Sequence, residues 1–198
     1  IKSILQIYPS VNNNMATTIQ DFFSRAARKQ FSRDFLFRVK QIQLIGGTFL
    51  DGEDDLLYAK TASLPGRTIE NKNVDYFGQQ FQVPGRATYL QADGYTINFY
   101  HDEGCEIRTK LERASRDVFN NETSTGAYGM PGEESIINLV QIDKNLNDVR
   151  NIELVGASIR NIGDIEYTIA EGTGAVVNFP VTFAYHFYRD FTRTHRRR

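Results

Sequence analysis

The length, composition and charge of the chain set limits on what it can be. Its 198 residues, 40% hydrophobic and 24% charged, predict a single globular domain that buries about 70% of its unfolded surface. Ten Tyr and fourteen Phe without any Trp favour β-structure. No stretch of the sequence approaches the roughly 18 apolar residues of a membrane span, so no membrane anchor is expected. The single cysteine excludes an intrachain disulfide.

Charge is distributed unevenly, and both ends of the chain differ from its middle. Residues 189–198 hold five Arg and one Asp, so the rest of the chain is acidic. We interpret residues 1–15 as a processed leader or a flexible arm, with Met15 a natural start. Residues 16–190 form the predicted β domain, and residues 191–198 a basic tail. That tail is either a solvated terminus or a contact for an acidic neighbour.

A short helix and then strands are predicted in the first part of the chain. Apolar residues at helical spacing predict an amphipathic helix from about Thr18 to Gln30. The alternation of apolar and polar residues then changes phase, which predicts a β-bulge near Lys40. Beyond an acidic loop at Asp51 to Asp55, a further strand is predicted from Leu57 to Ala62.

Turn and helix signals organise the middle of the chain. Proline and glycine suit the two central positions of a type II turn. Turns are therefore predicted at three dipeptides: Pro65-Gly66, Pro84-Gly85 and Pro131-Gly132. A strand is predicted at Tyr95 to Tyr100, and Asp102 is then a favourable N-cap. The apolar stripe of the helix that follows is Ile107, Leu111, Ala114 and Val118.

The remaining third of the chain predicts strands. After a loop from Asn120 to Gly132, the predicted strands are Ser135 to Ile142, Val149 to Ile159, Ile165 to Ile169 and Asn178 to Arg189. Many strands with one lateral helix are typical of a mainly β fold. We therefore predict an antiparallel β-sandwich or open barrel with one flanking α-helix and a short N-terminal helix.

Few residues in the sequence suggest chemistry. His101 and Cys105 stand four apart, a spacing that could place two soft ligands on one helical face. A closed zinc site needs four ligands, and the alternative is a strand end followed by a helix cap. Phosphate loops, nucleophile elbows and zincin motifs are absent from the sequence. We expect no catalytic residues, no cofactor and no metal, and we do not expect an enzyme.

Several short segments follow one another in a characteristic order between Phe31 and Tyr188. They are AKTASLPG (59–66), VPGR (83–86), GYTINFYHDE (94–103), the helix at 108–117, IELVGA (152–157), NIGDI (161–165) and NFPVTFAY (178–185). This order resembles the tail-tube protein of T4-like contractile-tailed bacteriophages.

The resemblance implies a fold, an assembly and a set of partners. Members of that family are β-sandwiches with a flanking helix, and six copies form a ring whose joined sheets make a barrel. Rings stack into a virion tail tube, assembled in the host cytoplasm, through which DNA is ejected without sequence-specific binding. An acidic body would keep the lumen from holding the phosphates. The implied partners are further copies, the tail sheath protein, baseplate and tube-terminator proteins, and the tape-measure protein.

The resemblance also assigns residues 67–79 to an arm that contacts the adjacent ring. The candidate contact residues are Arg67, Glu70, Lys72, Asp75, Tyr76 and Phe77. Tyr76 and Phe77 are the candidate apolar anchors, since aromatic side chains dominate many interfaces. The alternative is an ordinary hairpin tip.

Three other functions stay open at this point. A baseplate tube-initiator protein would share the fold, and it is favoured by the extra N-terminal residues, the acidic loop near Asp51 and the loop from Asn120 to Gly132. A secretion-system tube homologue is also compatible with the sequence. A small jelly-roll-like binding module would instead be a monomer with a pocket, so mass in solution distinguishes it from the tube proteins.

Overall fold

The computed structural model describes residues 19–27, 31–47, 49–50, 58–89, 94–168 and 174–192. The chain divides after Asp34 into two compact units. In the first, helix α1 spans Ile19–Ala26, within the helix predicted from Thr18 to Gln30, whose ends lie outside the described residues. Ile19, Phe22 and Phe23 of α1 are exposed. The predicted leader, the acidic loop and residues 193–198 also lie outside the described residues.

The second unit contains eleven strands and one helix in its described part. In chain order they are β1 (Phe37–Gln43), β2 (Phe49–Leu50), β3 (Ala59–Thr61), β4 (Thr68–Tyr76), β5 (Gln79–Thr88), β6 (Tyr95–Tyr100), α2 (Glu106–Val118), β7 (Ile136–Ile142), β8 (Asp148–Val155), β9 (Ser158–Ile162), β10 (Asn178–Ala184) and β11 (Phe187–Thr192).

The strands form two open sheets and a separate hairpin. One sheet has the order β11-β8-β7-β1-β2, the other the order β3-β6-β10-β9, and β4 pairs with β5. All the pairs are antiparallel. The register of β1 against β7 shifts between Val39 and Gln41, which confirms the bulge predicted near Lys40. The predicted mainly β, antiparallel fold with a flanking helix is confirmed.

A single apolar core lies between the two sheets. Strand β6 buries Tyr95, Ile97 and Phe99, and alternate residues of β10 are buried beside them. Leu139 of β7 and Ile152 of β8 belong to the same buried cluster. Fully burying one such side chain stabilises a fold by about 1.5–3 kcal/mol. Because alternate residues share a face of the strand, the face that carries the apolar residues points inward.

Helix α2 packs its apolar stripe into this core. Ile107, Leu111 and Ala114 are buried, as their spacing predicts. The Asp102 carboxylate accepts the backbone N–H of Glu106 at 2.7 Å. Asp102 therefore caps the helix, although the N-cap position itself belongs to Cys105. None of the described helices has the length and apolar character that crossing a membrane requires.

Two predicted strands are each divided in two. The segment predicted as Val149 to Ile159 forms β8 and β9, separated at Gly156, whose φ is +69°. The segment predicted as Asn178 to Arg189 forms β10 and β11, which belong to different sheets. His186 lies at this crossing and packs on Gly156, where an added Cβ would lie 2.0 Å from the His186 Cδ2. The break between β8 and β9 at Gly156 and the break between β10 and β11 at His186 are therefore packed against each other.

Other local predictions were wrong in detail. Pro84-Gly85 lies inside β5 and not in a turn, and Pro84 pairs with Asn71. Strand β3 covers only Ala59–Thr61. Residues 165–168 of the predicted strand at Ile165 to Ile169 are not in a strand. The strand continues through Pro84-Gly85 with a change of register against β4, whereas the two predicted strands are too short for alternation to identify a strand reliably.

Candidate functional site

The hairpin of β4 and β5, here called the arm, forms a sheet of its own: in the described ranges, its two strands pair only with each other. Its two strands form a separate two-stranded sheet. Every residue of β4 is exposed, as are the first eight residues of β5. An isolated two-stranded hairpin is at best marginally stable in water. Among the residues that the structure describes, the arm therefore has an exposed surface and no partner strand outside the hairpin.

One face of the arm is apolar. The register pairs Val74 with Phe81 and Tyr76 with Gln79, and residues two apart in a strand share a face. Val83 therefore joins Phe81 on the same face as Val74 and Tyr76. These four side chains are 47–64% exposed. Together they form an apolar strip, here called the apolar face of the arm, and Lys72 and Gln79 lie at its two ends, opposite Val83 and Tyr76.

The opposite face of the arm is polar and rich in amides. The Asn71 Nδ2 donates to the Gln82 Oε1 at 3.5 Å, and the Gln80 Nε2 donates to the Asp75 Oδ1 at 3.3 Å. Asn73 pairs directly with Gln82 across the hairpin. The polar side chains bond to one another across the strands. The arm is therefore amphipathic, with one face suited to water and one suited to burial.

An ion pair fixes the base of the arm. Arg86 donates two hydrogen bonds to the Glu70 carboxylate, at 2.7 and 3.2 Å. These bonds from Arg86 hold the pKa of Glu70 below its usual value. The strands change register between Ile69 and Asn71. A Cβ on Gly85 would lie 2.8 Å from the Glu70 carbonyl oxygen, so the close approach of the strands here needs glycine.

The tip of the arm brings the two predicted anchors together. Phe77 has a φ of +48° and is followed by Gly78 at +76°, so the two residues make the hairpin turn. The Tyr76 and Phe77 rings are in edge contact, with centroids 4.5 Å apart. Phe77 is 89% exposed. An exposed aromatic pair at a hairpin tip is suited to filling a pocket on another protein.

The other predicted contact residues lie in different places on the arm. Arg67 precedes β4 and stacks over the Tyr89 ring at 5.6 Å, and Glu70 is held by Arg86. Lys72 and Asp75 lie on opposite faces, because they are an odd number of residues apart. The prediction omitted Val74, Phe81 and Val83. Their period-two spacing is the signal that could have identified them.

The His101 and Cys105 pair forms a local contact. The Cys105 Sγ lies 3.4 Å from the His101 Nε2, and the His101 ring packs edge-on against Phe179. Among the described residues, no group of three or more His, Cys, Asp or Glu side chains could hold a metal ion. The geometry is that of a strand end followed by a helix start.

Comparisons with known proteins identify the fold. No protein-family model matches the chain, and no curated protein sequence matches it. A chain of the anti-feeding prophage (AFP) baseplate has a TM-score of 0.60 and 11% identity, over 84% of this chain and 99% of that one. The chain has a tail-tube-like fold of contractile systems.

Two further solved structures share the tail-tube-like fold. A chain from the sheath-tube complex of the extracellular contractile injection system PVC has a TM-score of 0.57 and 10% identity, over 85% of this chain and 97% of that one. A chain of the AFP tube-terminating cap has a TM-score of 0.57 and 11% identity, over 83% and 93%. These likenesses do not single out T4-like phages.

Proposed function

We propose that this protein is a structural subunit of a contractile tail tube. Copies form hexameric rings, and the rings stack into a hollow conduit for DNA ejection. The observation that carries the proposal is the arm, an amphipathic hairpin that pairs with no other strand in the described part of the chain. Its apolar face and its Tyr76–Phe77 tip dock on a copy in the adjacent ring.

Ring formation would also cover the edges of the two sheets. Strands β3 and β9 are the edges of one sheet, and β11 and β2 those of the other. Unpaired backbone groups at such edges promote unwanted pairing with other chains. Joining the edges of neighbouring copies removes this exposure. The similar AFP baseplate structure is six-fold symmetrised, which supports a ring of six.

The proposed partners follow from a place in the tail tube. They are further copies of the chain, the tail sheath protein, the baseplate and tube-terminator proteins, and the tape-measure protein. DNA passes through the lumen without sequence-specific binding. The protein assembles in the host cytoplasm and is located in the virion tail tube. A structural subunit of this kind needs no catalytic activity and no cofactor.

Two related functions have their own support. Similarity to a baseplate chain and the additional α1 unit favour a tube-initiator protein, in which assembly begins at the baseplate. Similarity to a chain of an extracellular injection system favours a tube homologue outside phages. Both share the ring architecture. The tube initiator differs from the main proposal in whether the protein polymerises alone, and the tube homologue outside phages differs in what travels through the lumen.

Negative-stain electron microscopy with light-scattering mass on the same sample tests the proposal. Hollow tubes of even bore that lengthen with protein concentration support a major tube subunit. Single rings that do not lengthen support a tube initiator. A 22.6 kDa monomer at every concentration, also in the presence of preformed baseplates, refutes both.

A further inference from the structure

The arm leaves the four-stranded sheet at one end of its strands. Strand β3 pairs antiparallel with β6, so the chain passes from Thr61 into the arm at the end of the sheet where β6 begins, at Tyr95. The Tyr95 hydroxyl donates to the Ser63 carbonyl oxygen there, and the chain returns from Thr88 to the same end. The nine residues of β4 can reach about 30 Å at about 3.3 Å per residue. Each copy therefore extends a long hairpin from this end of the sheet.

The opposite end of the same sheet, where β6 ends, carries exposed aromatic and apolar side chains. The backbone N–H of Tyr100 donates to the Tyr58 carbonyl oxygen at 2.8 Å. That of His101 donates to the Val177 carbonyl oxygen at 2.9 Å, and the Tyr167 ring lies edge-on to the His101 ring. Three segments of the chain therefore meet at this end. Their exposed side chains, here called the strand-end patch, are Tyr58, Tyr167 and Val176.

The charges of the arm and of the strand-end patch are complementary. Lys72 lies at one end of the apolar face of the arm, and the patch has two exposed carboxylates close to it in the chain, Glu103 and Glu166. Within the described ranges, none of these three side chains takes part in an ion pair. The nearby cations Lys60 and Arg108 each lie over an aromatic ring. An arm laid on the patch would therefore bring an ammonium group towards two carboxylates.

We propose that the strand-end patch of one copy receives the apolar face of the arm from a copy in the adjacent ring. The inference rests on the tube function proposed above and names the other half of the contact between rings. A stack that grows at its end needs a head-to-tail contact, in which each copy presents two different surfaces. The arm and the patch lie at opposite ends of one sheet, so every added ring presents a new arm or a new patch.

Tyr167→Asp tests the strand-end patch against a matched control elsewhere. Tyr167 is 70% exposed, and Tyr128, in the loop from Asn120 to Gly132, is 73% exposed. The same substitution at either position should therefore leave urea unfolding close to that of the wild type. In electron microscopy Tyr167→Asp should give single rings and no tubes, whereas Tyr128→Asp should form tubes. Tubes from Tyr167→Asp, or loss of tubes in both variants, overturns the assignment.

Mixing two defective kinds of ring tests whether the arm and the patch are the two halves of one contact. Val74→Asp with Phe81→Asp removes the apolar face of the arm and keeps the patch, and Tyr167→Asp does the reverse. Each variant alone should give single rings. Preformed rings of the two kinds should join through the one intact contact, giving pairs with twice the mass of a ring and no longer stacks. Rings that fail to pair, or that form long tubes, overturn the proposal.

Photocrosslinking in otherwise wild-type tubes locates the arm directly. Replacing Phe81 with the photoreactive p-benzoylphenylalanine keeps an aromatic side chain on the apolar face. On irradiation it should crosslink to another copy at or next to a residue of the strand-end patch, as located by mass spectrometry of the peptides. Crosslinks confined to other parts of the chain refute the patch alone, because tubes are present. Failure of the wild type to form tubes refutes the proposed function, and the inference falls with it.

Discussion

Replacing Val74 and Phe81 with aspartate should abolish stacking while leaving the fold intact. Both side chains are about half exposed, at 49% and 50%. Full burial of one such side chain is worth about 1.5–3 kcal/mol. Docking would bury the remaining half of each of the two side chains, so together they contribute about 1.5–3 kcal/mol to one arm contact. At 1.4 kcal/mol for each factor of ten, the substitution weakens each contact roughly 10- to 100-fold. Six such contacts join two proposed rings, so their combined loss should prevent stacking.

The matched control places the same two charges on the other face of the same hairpin. Asn73→Asp with Gln82→Glu also changes a directly opposed pair and adds the same cross-strand repulsion. Urea unfolding of both variants should agree with the wild type within about 0.5 kcal/mol, as for most surface substitutions. Electron microscopy should show tubes for the control only. Tubes from both variants, or from neither, would contradict docking through the apolar face of the arm.

Two further predictions concern stability. Gly156→Ala should destabilise the protein by about 1–3 kcal/mol, because its φ is +69° and a Cβ would clash with His186. The control Gly47→Ala, with φ +78° and open space, should cost less in urea unfolding. Tyr95→Phe removes the hydrogen bond to the Ser63 carbonyl and should cost about 1 kcal/mol at pH 7. Burial raises the pKa of Tyr95 above its usual value, so its contribution is complete below about pH 10 and is lost as pH rises. The difference in unfolding free energy between the wild type and Tyr95→Phe should become smaller in urea titrations at alkaline pH. A difference that stays constant with pH would contradict the proposed role of the Tyr95 hydroxyl.

Much of the fold could be predicted because the core imposes local patterns. The alternation from Tyr95 to Tyr100 and the spacing of Ile107, Leu111 and Ala114 mark the inward faces directly. The breaks between β8 and β9 and between β10 and β11 could not be predicted in this way. They depend on the packing of His186 over Gly156, two residues that are thirty positions apart in the sequence.

The resemblance assigns residues 67–79 to an arm, and the structure has a hairpin of Thr68–Tyr76 and Gln79–Thr88 there. Most of its second strand was not predicted as part of the arm, and the contact with an adjacent ring stays a prediction. Pro84-Gly85 suggests a turn, and that reading conceals the alternation of Phe81 and Val83 in β5. A proline without an N–H is tolerated in a strand where one side is unpaired, and both strands of a two-stranded hairpin have such a side. The dipeptide therefore marks the change of register at the base of the arm, beside the ion pair of Glu70 and Arg86.

The construction of the arm connects its stability to its proposed role. A two-stranded hairpin that pairs with no other described strand gains little from folding alone. The bonds between amides on one face and the Glu70–Arg86 pair at the base hold the strands in register, and they leave the apolar face uncovered. Hiding that face within the same chain would stabilise the single copy but remove the surface needed for stacking. In the proposed tube, Val74 and Phe81 are exposed in the single copy and would be buried by each added ring, so that stability would be gained during assembly and not before it.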